Sequence, residues 1–166
     1  RYHRLRHGGW PKNSEIELAF EEKYSPKGGP SAAVACSLLL ESLFTGEELD
    51  GAFAVTGDMN ASGSVQAIGG VIAKLRGART GGARIAAIPV ANRMTTLDLV
   101  LLDGAGAILE PQVFSIASFD EAWPLALEDK PEELAEAIRL FAELQSELHG
   151  QQQPAISQQN REKLVR

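Results

Sequence analysis

The segment from Ser31 to Phe44 is apolar on nearly every face, and it constrains the fold more than any other feature of the sequence. Three polar residues interrupt it: Ser37, Glu41 and Ser42. A helix that is apolar all round must be covered on most sides, so the segment predicts a central buried helix. Gly46 is placed to end that helix.

Short apolar runs alternate with helical patterns through the middle of the chain. Asn60-Ala61-Ser62-Gly63 has the composition of a tight turn between two of these runs. Strands and helices that mix in this way predict an α+β class with α/β-like mixed layers. Strands are predicted at 15–20, 52–56, 64–68, 84–90 and 112–116, and helices at 71–80, 94–103 and 119–127.

The two ends of the chain differ from this middle. Residues 1–12 form a basic N-terminal segment with four cations and no acid, which predicts a solvated linker or a docking arm for an acidic partner. We expect a folded domain over 13–130. An amphipathic helix over 131–149 either packs on its own domain or fits a partner groove. Residues 150–166 read as a polar, Gln-rich tail.

Composition excludes several kinds of function. Sixteen Lys and Arg against 22 Asp and Glu give a net charge of −6, which argues against nucleic-acid binding. No apolar run is long enough to span a membrane. A single cysteine, Cys36, favours a cytoplasmic protein over a disulfide scaffold. His3, His7 and His149 are too dispersed to predict a metal site. Because the chain begins at Arg1, we expect it to be a piece of a longer chain.

Two common catalytic motifs are missing. Neither G-x-x-x-x-G-K-[ST] nor G-x-G-x-x-G occurs, so we expect no nucleotide cofactor in this segment. The central region holds no histidine, so a Ser-His-Asp triad would need a histidine from one of the ends.

Ser31 follows Gly28-Gly29-Pro30 and opens the apolar helix, which allows two interpretations. Serine is a common N-cap that accepts a hydrogen bond from a backbone N–H of the first turn. Its hydroxyl would also lie beside the unpaired N–H groups and the positive dipole end of the helix, which are the groups that an oxyanion hole needs.

Lys74 lies on an apolar stripe with Val71, Leu75 and Ala78, at the i, i+3, i+4 and i+7 positions of one predicted helix. Its stem either packs on apolar surface while the charged end reaches water, or the amine is buried. Burial disfavours the charged form, and a neutral amine is a general base that can take a proton from a serine hydroxyl.

Three motifs taken together resemble the proteolytic domain of Lon proteases. The family pattern is P-K-D-G-P-S-A-G, then T-G-E, then I-G-G-x-x-x-K. The separations of 25 residues from Ser31 to Thr56 and 43 residues from Ser31 to Lys74 match it. The resemblance covers 15–127. The matching residues are Pro26-Lys27-Gly28-Gly29-Pro30-Ser31-Ala32, Thr56-Gly57-Asp58, Ile68-Gly69-Gly70-Val71-Ile72-Ala73-Lys74 and the strand Ile85 to Pro89.

The resemblance implies a Lon proteolytic-domain fold and a serine endopeptidase with a Ser-Lys dyad. Ser31 would be the nucleophile, Lys74 the base, and Thr56 the residue that holds the lysine amine by its hydroxyl. Substrates would be unfolded or extended polypeptides, and the assembly a homo-oligomeric, six-membered ring. No metal or other cofactor is implied in this segment, and ATP would be used only by an ATPase in missing chain or in a partner.

The chain departs from the family pattern at several positions. Gly28 replaces the acid before Gly-Pro-Ser, Ala33 replaces a glycine, and Asp58 shortens the T-G-E acid. The N-terminal strands of the family are missing or trimmed, or lie in chain outside this sequence. These departures keep a second function open, a non-proteolytic Lon-like scaffold or oligomerisation module with weak or no peptidase activity.

Overall fold

The computed structural model describes residues 1–10, 13, 15–17, 19 and 29–150. The chain divides into two compact units. The first is Arg1–Lys130, and the second begins at Pro131 and contains the helix α7, Glu132–Gly150. The four-segment division expected from the sequence stays a prediction.

Helices and strands alternate along the first unit, as expected from its sequence. Short 3-10 turns cover Pro30–Ala32 and Val90–Asn92. The helices are α1 (Tyr2–Arg6), α2 (Ala33–Thr45), α3 (Val71–Thr80), α4 (Thr95–Asp103), α5 (Gly106–Leu109) and α6 (Phe119–Ala126), and the strands are β1 (Phe53–Val55), β2 (Asp58–Met59), β3 (Val65–Gln66), β4 (Ile85–Pro89) and β5 (Gln112–Ile116).

The main sheet is parallel and has the strand order β1-β4-β5. Its central strand β4 is buried along its whole length, which explains why Ile85–Pro89 reads as a continuous apolar run. Helix α3 crosses from β1 to β4 and covers one face of the sheet. The hydrophobic core on this face combines residues of β4 with residues of α3, α4 and α5: Val71, Leu75, Ala86, Ile88, Leu99 and Ala107.

A two-stranded hairpin follows β1 directly. Strand β2 pairs antiparallel with β3, with Met59 opposite Val65. Asn60 forms the turn between them, because its side-chain oxygen accepts hydrogen bonds from the backbone N–H groups of Ser62 and Ser64, each at 3.0 Å. This is the turn predicted from Asn60-Ala61-Ser62-Gly63.

Helix α2 is less buried than its sequence predicts. Val34 and Leu38 are buried, but Leu39 is 48% exposed and Leu43 is 69% exposed. The prediction of a central buried helix is therefore wrong for this chain by itself, because α2 lies at the surface and turns one apolar face outward. Gly46 ends the helix in the left-handed conformation, with φ 77°, as expected.

The basic N-terminal segment contains a packed helix. In α1, the His3 ring is buried and contacts Phe119 edge to face. The Arg6 guanidinium donates to the carboxylates of Glu41 and Asp120, at 2.8 and 2.6 Å. The expectation of a solvated linker or free docking arm is thus wrong for α1, because acidic and aromatic partners within the unit hold it.

Ionisation in this cluster follows from burial and from the ion pairs. Burial lowers the pKa of His3 below its usual value. Burial alone would raise the pKa of Glu41, but hydrogen bonds from His7, Arg6 and His3 outweigh it and lower that pKa. The carboxylate of Glu41 is therefore the charged centre of the contact between α1 and α2.

Two sequence expectations concern residues that the structure describes only in part or not at all. The strand predicted at 15–20 is not assigned at 15–17 or at 19, and Leu18 and Phe20 lie outside the described residues. Gly28 and the tail from 151 to 166 also lie outside them. Among the described residues, no helix has the length and apolar character needed to cross a bilayer.

Asp50 lies just before β1 and forms an ion pair with Lys130 in the segment after α6. Its buried carboxylate accepts hydrogen bonds from the Lys130 ammonium and the Ala52 N–H, both at 2.8 Å. Burial by itself raises the pKa of this carboxyl, but Lys130 and Ala52 hold it below its usual value.

The Asp50 ion pair predicts a specific loss of stability in acid. A carboxyl with a depressed folded-state pKa stabilises the fold fully above its unfolded value of about 3.9, and this stabilisation is lost as the pH falls through the folded-state pKa. At pH 7, Asp50→Asn should lower the free energy of unfolding by about 3 kcal/mol, since it leaves Lys130 unpaired. Urea unfolding should show the difference from wild type shrinking below pH 4. A constant difference from pH 7 to pH 2 would contradict this role.

Candidate functional site

Ser31 and Lys74, the two residues that the sequence singles out, lie together. Ser31 is in the 3-10 turn that leads into α2, and Lys74 is in the first turn of α3. The Lys74 ammonium donates a hydrogen bond to Ser31 Oγ at 3.1 Å. Two residues 43 positions apart are thus brought within the range of direct proton transfer.

The backbone of Ser31 is held by the segment that follows β1. Its carbonyl oxygen accepts two hydrogen bonds, from the Gly57 N–H at 2.9 Å and from the Thr56 hydroxyl at 3.1 Å. In return, the Val34 N–H donates to the Gly57 carbonyl at 3.2 Å. The start of α2 is therefore fixed to the end of β1 on both sides of Gly57.

Thr56 forms its side-chain hydrogen bond with Ser31 rather than with Lys74. The family resemblance implies that its hydroxyl holds the lysine amine, but in the structure the hydroxyl donates to the Ser31 carbonyl. No hydrogen bond joins Thr56 to Lys74 in the part of the chain that the structure describes. Thr56 is thus placed to orient the serine backbone.

Gly57 allows the close approach of α2 to this segment. A Cβ atom at this position would lie 2.9 Å from Cγ1 of Val65 and 3.0 Å from Cγ2 of Val34, closer than side chains pack. Any larger residue would push β3 or the start of α2 away. Steric crowding therefore explains why glycine occupies the middle position of the Thr56-Gly57-Asp58 motif.

The position of Lys74 depends on the turn before α3. Gly70 begins the helix in a left-handed conformation, with φ 70°. The Asn92 side chain makes two hydrogen bonds to Ile68, two residues before Gly70. Its oxygen accepts from the Ile68 N–H at 2.9 Å, and its amide donates to the Ile68 carbonyl at 3.0 Å. Sequence reasoning missed Asn92. The available signal was an amide side chain three residues after the strand that ends at Pro89.

The side chain of Lys74 is exposed, although Val71 and Leu75 of the same predicted stripe are buried. Of the two alternatives for Lys74, this exposure agrees with the one in which the charged end reaches water. Lys74 lies at the edge of the stripe and reaches across the surface to Ser31.

The structure excludes one of the two interpretations of Ser31. Neither the 3-10 turn nor α2 has a side-chain hydrogen bond at its cap, and the caps are Gly29 and Ala32. Ser31 is therefore not an N-cap, and its recorded side-chain hydrogen bond is with Lys74.

A cavity of about 250 Å³ opens beside the pair. Ser31, Thr56 and Lys74 line it together with residues of β1, β4, α2 and α3, and six of the twelve lining residues are alanines. Neither a histidine nor a carboxylate is among the residues described as lining it. Lys74 is thus the one side chain in this lining whose type can serve as a general base.

Arg76 and Asp103, two charged residues of α3 and α4, pair with each other. Arg76, two residues after Lys74, makes a bidentate ion pair with Asp103, at 2.7 and 2.6 Å. That pairing raises the pKa of Arg76 and lowers the pKa of Asp103. The carboxylate of Asp103 is therefore committed to α3–α4 contact rather than to Lys74.

Comparison with known proteins gives the family. Residues 7–101 match the family model of the Lon protease (S16) C-terminal proteolytic domain. The chain belongs to this family. The matched range contains Ser31, Thr56 and Lys74, and the α+β class and the Lon proteolytic-domain fold predicted from the sequence are confirmed.

Individual Lon proteases show the same relationship. The chain is 32% identical to the Lon protease of Acinetobacter baumannii over 123 residues, which are 74% of this chain and 15% of the relative. It is 33% identical to the archaeal Lon protease of Methanocaldococcus jannaschii over 116 residues, 70% and 16% of the two chains. It is 30% identical to the Lon protease of Escherichia coli over 117 residues, 70% and 14%. This Lon domain therefore spans about 15% of the length of the curated relatives it matches.

The absence of a cap hydrogen bond at Ser31 predicts that its replacement costs little stability. Ser31→Ala in the Lon domain should lower the free energy of unfolding by no more than about 0.5 kcal/mol, as at ordinary surface positions. Ser118 is the matched control, because its hydroxyl caps α6 by accepting from the Glu121 N–H at 3.3 Å. Ser118→Ala should cost about 0.5–2 kcal/mol in the same urea titration. A larger loss at Ser31 than at Ser118 would restore a structural role for Ser31.

Proposed function

We propose that this Lon domain is a serine endopeptidase that hydrolyses unfolded or extended polypeptides through Ser31 and Lys74. The observation that carries the proposal is the 3.1 Å contact between Lys74 Nζ and Ser31 Oγ. Family membership supports the peptidase class, since the curated relatives are Lon proteases. The roles of the two residues follow from their chemistry and placement.

In the acylation step, the neutral Lys74 amine accepts the Ser31 hydroxyl proton as Oγ attacks the carbonyl carbon of the scissile bond. The carbonyl π electrons move to oxygen, which gives a tetrahedral oxyanion. When the intermediate collapses, the C–N bond breaks and the leaving amine takes the proton from the Lys74 ammonium. The product is an ester between Ser31 and the N-terminal fragment.

Water completes the cycle. Lys74 accepts a proton from a water molecule as its oxygen attacks the ester carbon, and the proton then passes to Ser31 Oγ as the C–O bond breaks. The N-terminal fragment leaves as a carboxylic acid, which ionises in solution. One residue serves as base and acid in both halves because it lies within hydrogen-bond distance of Ser31 Oγ.

Backbone N–H groups at the start of the Ser31 turn are the proposed oxyanion donors. The first N–H groups of a helix lack intrahelical partners and carry the positive end of its dipole. The two hydrogen bonds to the Ser31 carbonyl hold this turn in place, so the donors would need little reorganisation during reaction. Thr56 and Gly57 contribute in this indirect way.

In this proposal, a bound substrate excludes water from the exposed Lys74 amine. A base at neutral pH must lose its proton, and exclusion of water favours the neutral amine. A polypeptide laid over Ser31 would cover Lys74 and seat one side chain in the alanine-rich cavity. An apolar side chain fits that lining best, so peptides with apolar residues at the cleaved bond are the substrates to test first.

Variants of Lys74 separate its proposed role as a base from its charge. Lys74→Met removes the amine, and Lys74→Arg keeps the positive charge but cannot release a proton near pH 7. Both should reduce hydrolysis of a casein or apolar peptide substrate at least 1,000-fold, in line with the loss of a general base and an activated nucleophile. Thermal unfolding should change little, since Lys74 is exposed.

Arg79→Met is the matched control, because Arg79 is another exposed cation of α3 outside the cavity lining. It should keep wild-type hydrolysis, and Ser31→Ala should abolish it. Wild-type rates in Lys74→Arg would contradict the base role. A folded wild-type chain that hydrolyses no substrate would instead support the scaffold function.

Self-association into a six-membered ring belongs to the same proposal. The outward side of α4 supports it, because Leu97, Leu101 and Leu102 are exposed there, together with Met94 just before the helix. Large apolar side chains grouped on one surface are typical of interfaces. We place any ATP-driven unfolding of substrates outside this segment, in further chain or in a partner.

Sedimentation velocity tests the ring. The wild-type chain should sediment as a hexamer at high concentration. Leu101→Glu should shift it to smaller species without unfolding it, because Leu101 is 77% exposed and a charge there costs nothing in the monomer core. A wild-type chain that stays monomeric at every concentration would contradict assembly by this segment.

A further inference from the structure

A second cluster of reactive side chains lies where α1 meets α2. His3 and His7 are four residues apart, so their rings project from the same side of α1. Their nitrogen atoms, His3 Nδ1 and His7 Nε2, lie 2.9 and 2.8 Å from one oxygen, Oε2 of Glu41. All three ligand atoms lie within 4.8 Å of one another.

The two nitrogen–oxygen distances are close to those between ligand atoms around one bound ion. Zn²⁺ binds imidazole nitrogen and carboxylate oxygen at about 2.0–2.2 Å, so tetrahedral ligand atoms lie about 3.3 Å apart. The two nitrogen–oxygen distances in the structure are shorter than this by less than about 0.6 Å, which small side-chain rotations would supply. Two imidazoles and one carboxylate form the donor set of known zinc sites.

The other contacts of Glu41 leave a lone pair of its Oε2 atom available for a metal ion. Arg6 Nε donates to the other carboxylate oxygen of Glu41, Oε1, at 2.8 Å. Oε2 therefore remains the oxygen that faces both rings. The charge of Arg6 is itself matched by Asp120, whose carboxylate lies 2.6 Å from the guanidinium. A bound dication would thus meet a carboxylate that is already oriented.

The site is held firmly and is open on one side. The His7 ring stacks on Phe44 with centroids 4.5 Å apart, and the His3 ring packs edge to face on Phe119. The Glu41 side chain is 2% exposed, whereas the His7 side chain is 26% exposed. The site is therefore more accessible to solvent at His7 than at Glu41.

We propose that His3, His7 and Glu41 form a site for a divalent transition metal, with Zn²⁺ as the preferred ion. In the metal-bound form, each neutral ring would carry its proton on the other nitrogen, His3 Nε2 and His7 Nδ1, and the ion would join α1 to α2. Glu41 follows Ser31 by ten residues, about 15 Å along a helix, so this site is separate from the proposed dyad. Its role is structural, and it does not depend on peptidase activity.

Zinc titration of the full chain, first stripped with a chelator, tests this site. Calorimetry should show one Zn²⁺ per chain, and the melting temperature should rise with zinc because the ion binds the folded state. Cobalt, as a spectroscopic substitute, should give the visible absorption of a four-coordinate nitrogen–oxygen site.

His7→Asn is the main variant, because His7 is the most exposed ligand and its loss should leave the fold intact. It should weaken zinc binding at least tenfold. His149→Asn is the matched control and should bind zinc as wild type does. Glu41→Gln should also weaken binding, provided that circular dichroism shows it folded. A wild-type chain without stoichiometric zinc binding, or equal affinity in wild type and His7→Asn, would overturn the proposal.

Discussion

The start of α2 depends on its hydrogen bonds to the end of β1, and the candidate site depends on that junction. The Ser31 carbonyl accepts from the Gly57 N–H and the Thr56 hydroxyl, while the Val34 N–H donates to Gly57. These bonds fix the serine relative to the sheet. The same sheet carries α3 on one face, so the serine and Lys74 meet across a distance set by rigid elements rather than by loops.

The resemblance to the Lon proteolytic domain, which three motifs and their separations carry, implied that Ser31 and Lys74 would lie close together. Two of the motifs contain a glycine that the backbone requires: Gly57 allows a close approach, and Gly70 is left-handed before α3. The strand Ile85–Pro89 was equally evident, because a strand buried on both faces is apolar at every position. Such local constraints are visible in one sequence.

Features that depend on contacts between distant segments were not predictable in this way. The basic residues near the N-terminus gave no sign that Glu41 would receive His3, Arg6 and His7, since a lone acid in an apolar helix does not indicate its partner. The choice between an exposed and a buried Lys74 stayed open for a related reason. Helical periodicity gives the side of α3 on which a residue lies, but not how far the neighbouring elements extend over it.

Covalent labelling of Ser31 tests the central claim most directly. A fluorophosphonate reacts with serine hydroxyls that are activated by a neighbouring base, and mass spectrometry then identifies the modified residue. The account predicts a single adduct on Ser31 in the wild-type chain and none in the folded Lys74→Met variant, although Ser31 itself is unchanged there. An unlabelled Ser31 in the wild type, or equal labelling of Ser31 in both chains, would contradict activation of this serine by Lys74.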